Sequence, residues 1–158
     1  MPKITPFLWF DTQAEDAANF YVSLFPHSKI TVISHYPEGG PRPPGMVMTV
    51  SFVLDGAEFT ALNGGPEFKM DPAVSFVIST LNQADTDYYY DALLQGGRES
   101  ACGWLQDRFG LAWQVTPVRL IELLSQPDKA KASRVMAAMM QMKKIDIAKL
   151  EEAAASAG

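Results

Sequence analysis

One pattern occurs twice in this chain: a strand-like segment, a helix, and then further strand-like segments. The letters QAE at 13–15 return as QAD at 83–85, about 70 residues later, and each triplet opens a stretch whose apolar residues have helical spacing. Asp11 or Thr12 is the predicted N-cap of the first helix. Self-similarity of this kind predicts two copies of one supersecondary unit.

Each predicted helix lies among segments rich in β-branched and aromatic residues, which favour strands. The segments before the helices are Lys3–Phe10 and Ala73–Thr80. After the first helix, two strand-like segments meet at Asp55-Gly56, a pair typical of a tight hairpin turn. The predicted fold class is α+β, with duplicated βαβββ modules whose helices lie outside and whose concave faces enclose a ligand cleft.

The module boundaries follow from where these patterns start and stop. We expect modules at about 3–66 and 73–117, which together form one domain over 1–117. Residues 118–158 then predict a C-terminal helical extension, because their pattern is helical throughout.

The predicted extension has one apolar stripe, made of Val135, Met136, Met139 and either Met142 or Lys143. Asp146 is the predicted N-cap of its last helix. A methionine stripe is typical of a packing surface within a core. It also fits an arm that docks on a second subunit, and we expect a homodimer.

Composition excludes several classes of partner. The 158 residues carry a net charge of −5 with scattered basic residues, which opposes binding to the phosphates of nucleic acid. No apolar run approaches the roughly 20 residues needed to span a bilayer, so no membrane partner is expected. A single cysteine, Cys102, cannot form an internal disulfide, and this predicts a cytoplasmic location. A small molecule is the predicted partner.

Several short motifs follow one another along the chain: PFLWFD, FYVSLFPHSKI, MTVSFVLDG, ALNGGP, CGWLQDRFG and WQ, and then the tail RVMAAMMQMKKIDIAKLE. In this order they resemble the vicinal oxygen chelate superfamily, which includes glyoxalase I, bleomycin-resistance proteins and extradiol dioxygenases. They are most similar to its PhnB-like branch, whose members are often labelled 3-demethylubiquinone-9 3-methyltransferase. The resemblance implies a glyoxalase/bleomycin resistance-like fold.

The resemblance also implies where a metal site would lie. Metal-dependent relatives place His and Glu on four concave strand positions, which here align with Pro6, about Ala61, Ser75 and Gln114. These residues are a poor ligand set for a divalent ion, so we expect no metal and no cofactor. Gln114 stands where the DRFGLAWQ hairpin of relatives delivers a glutamate. It should face the cleft as a neutral hydrogen-bonding group, and the alternative is a buried amide tied to backbone.

Other side chains are candidates for the same cleft. Asn63 presents its amide to the ligand or adopts a turn conformation that asparagine tolerates. Trp9 and Trp104 are candidate stacking walls, whereas alternation places Trp113 opposite Gln114 and therefore in the core. We expect Asp107 and Arg108 to form a solvated pair in their turn. The predicted ligand-binding residues are Gln114, Asn63, Trp104, Trp9, Ser75 and Cys102.

Three functions remain open at this point. The first is a metal-independent site for a quinone-like or other aromatic molecule, in an enzyme or a binder. The second is a ligand-sequestering protein of the bleomycin-resistance type. The third is a metal-dependent glyoxalase or dioxygenase that uses other ligands, such as Glu58 or His35. No catalytic residue is identified, and the chain has no glycine-rich turn between strand and helix of the sort that binds S-adenosylmethionine.

Overall fold

The computed structural model describes residues 2–156. The chain forms two compact units, which divide between Met70 and Asp71. Each unit contains one βαβββ module, and the second unit also contains the C-terminal helices. The predicted α+β class with duplicated modules and a C-terminal helical arm is therefore confirmed. The grouping of both modules into one domain over 1–117 stays a prediction.

The first unit is a four-stranded sheet with one helix. Its sheet has the order β1-β4-β3-β2, in which β1 runs parallel to β4 and the other neighbours are antiparallel. The elements are β1 (Phe7–Phe10), α1 (Ala14–Leu24), β2 (Lys29–His35), β3 (Val47–Leu54) and β4 (Ala57–Asn63).

Local sequence determines the turn between β3 and β4. Asp55 and Gly56 have φ angles of 45° and 86°, both in the left-handed region, as a two-residue hairpin turn requires. The predicted hairpin is confirmed.

The start of α1 differs from the prediction. Its N-cap position is Gln13, and no side chain of its own segment caps it. Instead, the Ala14 amide donates to Oδ1 of Asn63 at 2.8 Å. Asn63 lies there because it pairs with Phe10, the last residue of β1, and the turn into α1 follows directly. The prediction of Asp11 or Thr12 as the N-cap was wrong, because Asn63 from another strand accepts the hydrogen bond of the first helical amide.

The core of the first unit lies between α1 and one face of the sheet. Ala14, Ala17 and Ala18 are fully buried, and their small side chains allow the helix to approach closely. Tyr21 fills the remaining space, with its ring centroid 6.2 Å from that of Phe52. This packing leaves the other face of the sheet uncovered by the helix.

The second unit repeats the architecture and adds three helices. Its sheet has the order β5-β8-β7-β6, again with the first pair parallel. The elements are β5 (Ser75–Thr80), α2 (Gln83–Leu94), β6 (Arg98–Glu99), β7 (Trp104–Gln106), β8 (Ala112–Pro117), α3 (Val118–Leu124), α4 (Lys129–Met139) and α5 (Ile147–Ala155).

The turn between β7 and β8 corrects another expectation. Asp107 is 3% exposed, so it is not half of a solvated pair with Arg108. Its Oδ1 accepts from the amides of Phe109 and Leu111 at 2.9 and 3.1 Å, and its Oδ2 accepts from Nε1 of Trp113 at 2.9 Å. These three bonds satisfy a carboxylate that burial alone would destabilise.

The C-terminal helices form their own small core. Asp146 caps α5 as predicted, with its Oδ1 accepting from the Lys149 amide at 3.2 Å. Met139 and Met142 pack partly buried against this core, whereas Met136 is 43% exposed and departs from the predicted stripe. Most of the stripe therefore packs within the chain. The buried members of the core are Leu120, Leu123, Val135, Ile145, Leu150 and Ala154.

None of the helices within residues 2–156 combines the length and apolar character that a bilayer span requires.

Candidate functional site

The second sheet has two chemically different faces. Residues that pair in register share a face, and successive residues alternate. One face packs against α2 and carries Leu105, Trp113 and Val115, all buried. The other face, which we call the open face, is polar and aromatic. The open face includes Ser75, Val77, Arg98, Trp104, Gln106 and Gln114, with the small Ala112 among them.

Gln114 lies at the centre of the open face. It is half-buried, and its Nε2 donates to Oγ of Ser75 at 2.9 Å. Within the described part of the chain, this is the one hydrogen bond of the Gln114 side chain. The pair therefore presents an acceptor, Oε1 of Gln114, and a donor, the Ser75 hydroxyl.

The two tryptophans of this module take the faces that alternation predicts. Trp104 is paired with Gln114, so both side chains lie on the open face, and Trp104 is half-buried. Trp113 is 3% exposed on the opposite face, which confirms it as a core residue. The structure thus brings Gln114, Ser75 and Trp104 together on one surface.

Trp9 lies on the first sheet, on the face opposite the buried Leu8 and Phe10. Its Nε1 donates to the Gly65 carbonyl at 2.8 Å, and its ring meets Phe68 edge to face at 4.9 Å. A Cβ at Gly64 would lie 2.5 Å from the Trp9 ring. Trp9 is therefore held by the loop that follows β4.

Asn63 lies on the core face of the first sheet and is 3% exposed. Its Oδ1 accepts from the Ala14 amide at 2.8 Å, and its Nδ2 donates to the Val47 carbonyl at 3.0 Å. Both ends of the amide are thus used inside the unit. Sequence reasoning missed this role because the cap and its helix are 49 residues apart.

Cys102 lies in the turn that leads into β7 rather than on a strand. Its φ of 59° is in the left-handed region, and its amide donates to the Met142 carbonyl at 2.9 Å. Its Sγ is 3.7 Å from Sδ of Met140. The C-terminal segment therefore contacts Cys102 directly.

The residues aligned with the superfamily's metal positions do not suit a divalent ion. Register pairs Val77 with Gln114 and Phe7 with Thr60, so Thr60 is the first-module counterpart of Gln114. The sequence placed this position at about Ala61; Ala61 itself is fully buried in the core, and its neighbour Thr60 is on the opposite face. Hydroxyl and amide groups are weak, neutral donors, whereas such sites use carboxylate and imidazole.

The alternative metal ligands lie elsewhere in the first unit. Glu58 forms an ion pair with Lys3 at the surface, and His35 is exposed at the end of β2. Across residues 2–156, no three His, Cys, Asp or Glu side chains are grouped to hold a metal ion.

Arg98 and Gln106 belong to the open face, and sequence reasoning missed them. Nε and Nη2 of Arg98 donate to Oε1 of Gln106 at 2.9 and 2.6 Å, while Nε2 of Gln106 donates to the Gly110 carbonyl at 3.0 Å. A cavity of about 150 Å³ is lined by Arg98, Trp104 and Gln106, among others. The available signal was the alternation along the sequence of Trp104, Gln106 and Gln114 with the apolar residues Leu105, Trp113 and Val115. The sequence around Arg98 shows no such alternation, because its strand β6 has only two residues.

One residue that lines this cavity, Glu99, is bonded to a tyrosine of the core. The Tyr90 hydroxyl donates to Oε2 of Glu99 at 2.7 Å. Burial, and then this bond to a carboxylate, raises the pKa of Tyr90 well above its usual range. Tyr90 is therefore neutral at physiological pH.

Comparison with protein families gives a match over most of the chain. The family model described as 3-demethylubiquinone-9 3-methyltransferase matches residues 2–116. No curated protein matches the chain significantly.

Solved structures give further similarities. A PhnB protein from Bacillus cereus, provisionally described as a 3-demethylubiquinone-9 3-methyltransferase, is 36% identical, with a TM-score of 0.68 over 74% of this chain and 100% of that one. A Pseudomonas aeruginosa protein is 20% identical, with a TM-score of 0.62 over 74% and 98%. The fosfomycin resistance protein FosX from Listeria monocytogenes is 10% identical, with a TM-score of 0.55 over 79% and 98%. The last two indicate the fold alone.

Proposed function

Since the chain belongs to the 3-demethylubiquinone-9 3-methyltransferase family, the PhnB-like branch of the vicinal oxygen chelate superfamily, we propose that it binds a small, planar, quinone-like molecule on the open face of its second sheet. The binding needs no divalent metal. The observation that carries the proposal is the hydrogen-bonded pair of Gln114 and Ser75 beside Trp104.

The chemistry of these three residues fits a quinone-like ring. A planar ring gains dispersion and quadrupolar attraction when it stacks on an indole such as Trp104. A ring carbonyl accepts the Ser75 hydroxyl proton, and a ring hydroxyl donates to Oε1 of Gln114. Pockets for small molecules typically combine an apolar wall with a few polar groups that fix orientation.

The proposal assigns binding rather than methyl transfer. The family is described as a methyltransferase family. In this chain the turns that lead into the two module helices, at 11–13 and 81–82, contain no glycine. A glycine-rich turn in that place is a common way to hold a nucleotide-type cofactor against a helix N-terminus. The groups that remain on the open face orient a ligand through neutral hydrogen bonds.

The test is a calorimetric titration with duroquinone, a fully substituted neutral quinone, carried out with and without EDTA. We expect saturable binding that EDTA does not change. Gln114→Leu should weaken binding about three- to tenfold, because it removes the second Nε2 proton of Gln114, which is not bonded to Ser75 and can donate one neutral hydrogen bond to a quinone carbonyl. The control is Gln95→Leu, a change of the same kind at an exposed position after α2.

Two results would count against the proposal. One is the absence of binding by the wild-type protein. The other is binding that EDTA abolishes, since the ligand would then depend on a bound metal.

For assembly and location we propose a cytoplasmic homodimer. The exposed apolar residues Leu81, Val118 and Ile121 support the dimer, because they follow two paired strands and are 79%, 37% and 53% exposed. The single cysteine supports a reducing compartment. Light scattering that gives a monomer mass at micromolar concentration would contradict the dimer.

A further inference from the structure

The open face is neutral except at one edge. Arg98, on the short strand β6, contributes its positive charge. No carboxylate within residues 2–156 lies within ion-pair distance of its guanidinium. An arginine without a paired acid, next to a cavity, attracts anionic groups.

Gln106 holds the Arg98 guanidinium in place. Oε1 of Gln106 accepts from Nε and Nη2 of Arg98, so one edge of the planar fork is occupied. Nη1 has no partner in the described part of the chain. Gln106 is itself fixed by its bond to the Gly110 carbonyl. The arginine is therefore oriented before any ligand arrives, which lowers the entropy lost on binding.

Arg98 belongs to the same surface as the proposed ring site. Arg98, Gln106, Ala112 and Ser75 pair in register across all four strands. Strands lie about 4.8 Å apart, so this row spans about 14 Å. Trp104 and Gln114 form the adjoining row. A planar ligand lying across the two rows would meet a charge at one edge and neutral polar groups at the other.

Among residues 2–156, Glu99 is the one carboxylate that borders the cavity. It alternates with Arg98 along β6, and its Oε2 accepts the Tyr90 hydroxyl on the core side of the sheet. Its charge is therefore directed away from the open face. The cavity of about 150 Å³ holds one aromatic ring beside Arg98, so a second fused ring would lie over the adjoining row of Trp104 and Gln114.

We infer that Arg98 is a specificity-determining residue, and that the ligand is a planar aromatic anion with a carboxylate or an ionised hydroxyl at the edge that reaches β6. This inference rests on the proposed function, since it names the ligand class for the same face. Ala112 lies between the two polar ends of the row, and its side chain is a single methyl group.

The test compares naphthoate with naphthamide, which have the same ring system and nearly the same shape but differ in charge. We expect the wild-type protein to bind naphthoate at least about tenfold more tightly, because bonds to charged groups are the stronger ones. The preference should shrink as salt is raised. Arg98→Gln should abolish it while leaving naphthamide affinity within about twofold, which also reports that the variant is folded.

The matched control is Arg119→Gln, which removes the same charge from the surface of α3. It should leave the preference unchanged. Equal affinities of the wild-type protein for the two compounds, or a preference that survives Arg98→Gln, would overturn the inference and leave the proposed function standing. Failure to bind both compounds while duroquinone still binds would overturn the inference alone, whereas failure to bind all three would overturn both.

Discussion

The two modules have the same strand order but attach their helices differently. In the first module, α1 is capped by Asn63 from the end of β4. In the second, α2 is capped by its own neighbour Asn82, whose Oδ1 accepts from the Asp85 amide at 2.8 Å. The position that pairs with the end of β5 is Pro117, where the chain passes directly into α3. One helix thus depends on tertiary contact and the other on local sequence.

The open surfaces of the two sheets differ as well. The first offers Thr60 and Trp9, and Trp9 is already bonded to Gly65. The second offers Gln114 with Ser75, a half-buried Trp104 and the charge of Arg98. The two sheets therefore share one strand order, but the second has the larger set of polar and aromatic groups on its open face.

The largest stability difference between the modules is expected at their glycines. A Cβ at Gly97 would lie 2.2 Å from the Gln106 carbonyl oxygen, and this backbone cannot yield without displacing β6. Gly97→Ala should therefore cost at least about 3 kcal/mol in the free energy of unfolding, measured with urea. Gly64→Ala in the first module should cost about 1 to 2 kcal/mol, because the added Cβ meets the Trp9 side chain, which can move at the expense of its bond to Gly65 where a backbone cannot. Equal losses for the two variants would contradict the idea that a backbone clash costs more than a side-chain clash.

A smaller difference is expected at the two helix caps. Asn63→Ala removes a buried cap and leaves the Ala14 amide and the Val47 carbonyl without their bonds. We expect a loss of about 2 to 3 kcal/mol from the free energy of unfolding.

Asn82→Ala is the matched substitution in the second module. Its cap is exposed, so water replaces the lost bond and the cost should be about 1 kcal/mol. If Asn82→Ala were the more damaging of the two, the first helix would not depend on its distant cap.

Much of the fold was predictable because its signals are local. Hydrophobic period indicated both module helices, and Asp55-Gly56 indicated its hairpin. Alternation along β8 placed Trp113 in the core, and the structure confirms it. The motif order indicated the family that the family model matches.

The remaining features depend on which distant residues meet. The cap at Asn63 requires the pairing of β1 with β4, and the buried Asp107 requires the Trp113 indole to fold over its turn. The place of Arg98 depends on a two-residue strand, too short to leave a pattern. The position at about Ala61 could be given from the sequence only approximately, and a shift of one residue reverses the face of a strand.

The most direct measurement of the central claim is a heteronuclear NMR titration of the three indole N–H signals with duroquinone. Trp104 lies on the proposed binding face, Trp9 on the first sheet, and Trp113 in the second core. We predict that the Trp104 signal shifts in a saturable way while the other two stay in place. A saturable shift of Trp9 or Trp113 with Trp104 unchanged would contradict binding at the open face of the second sheet.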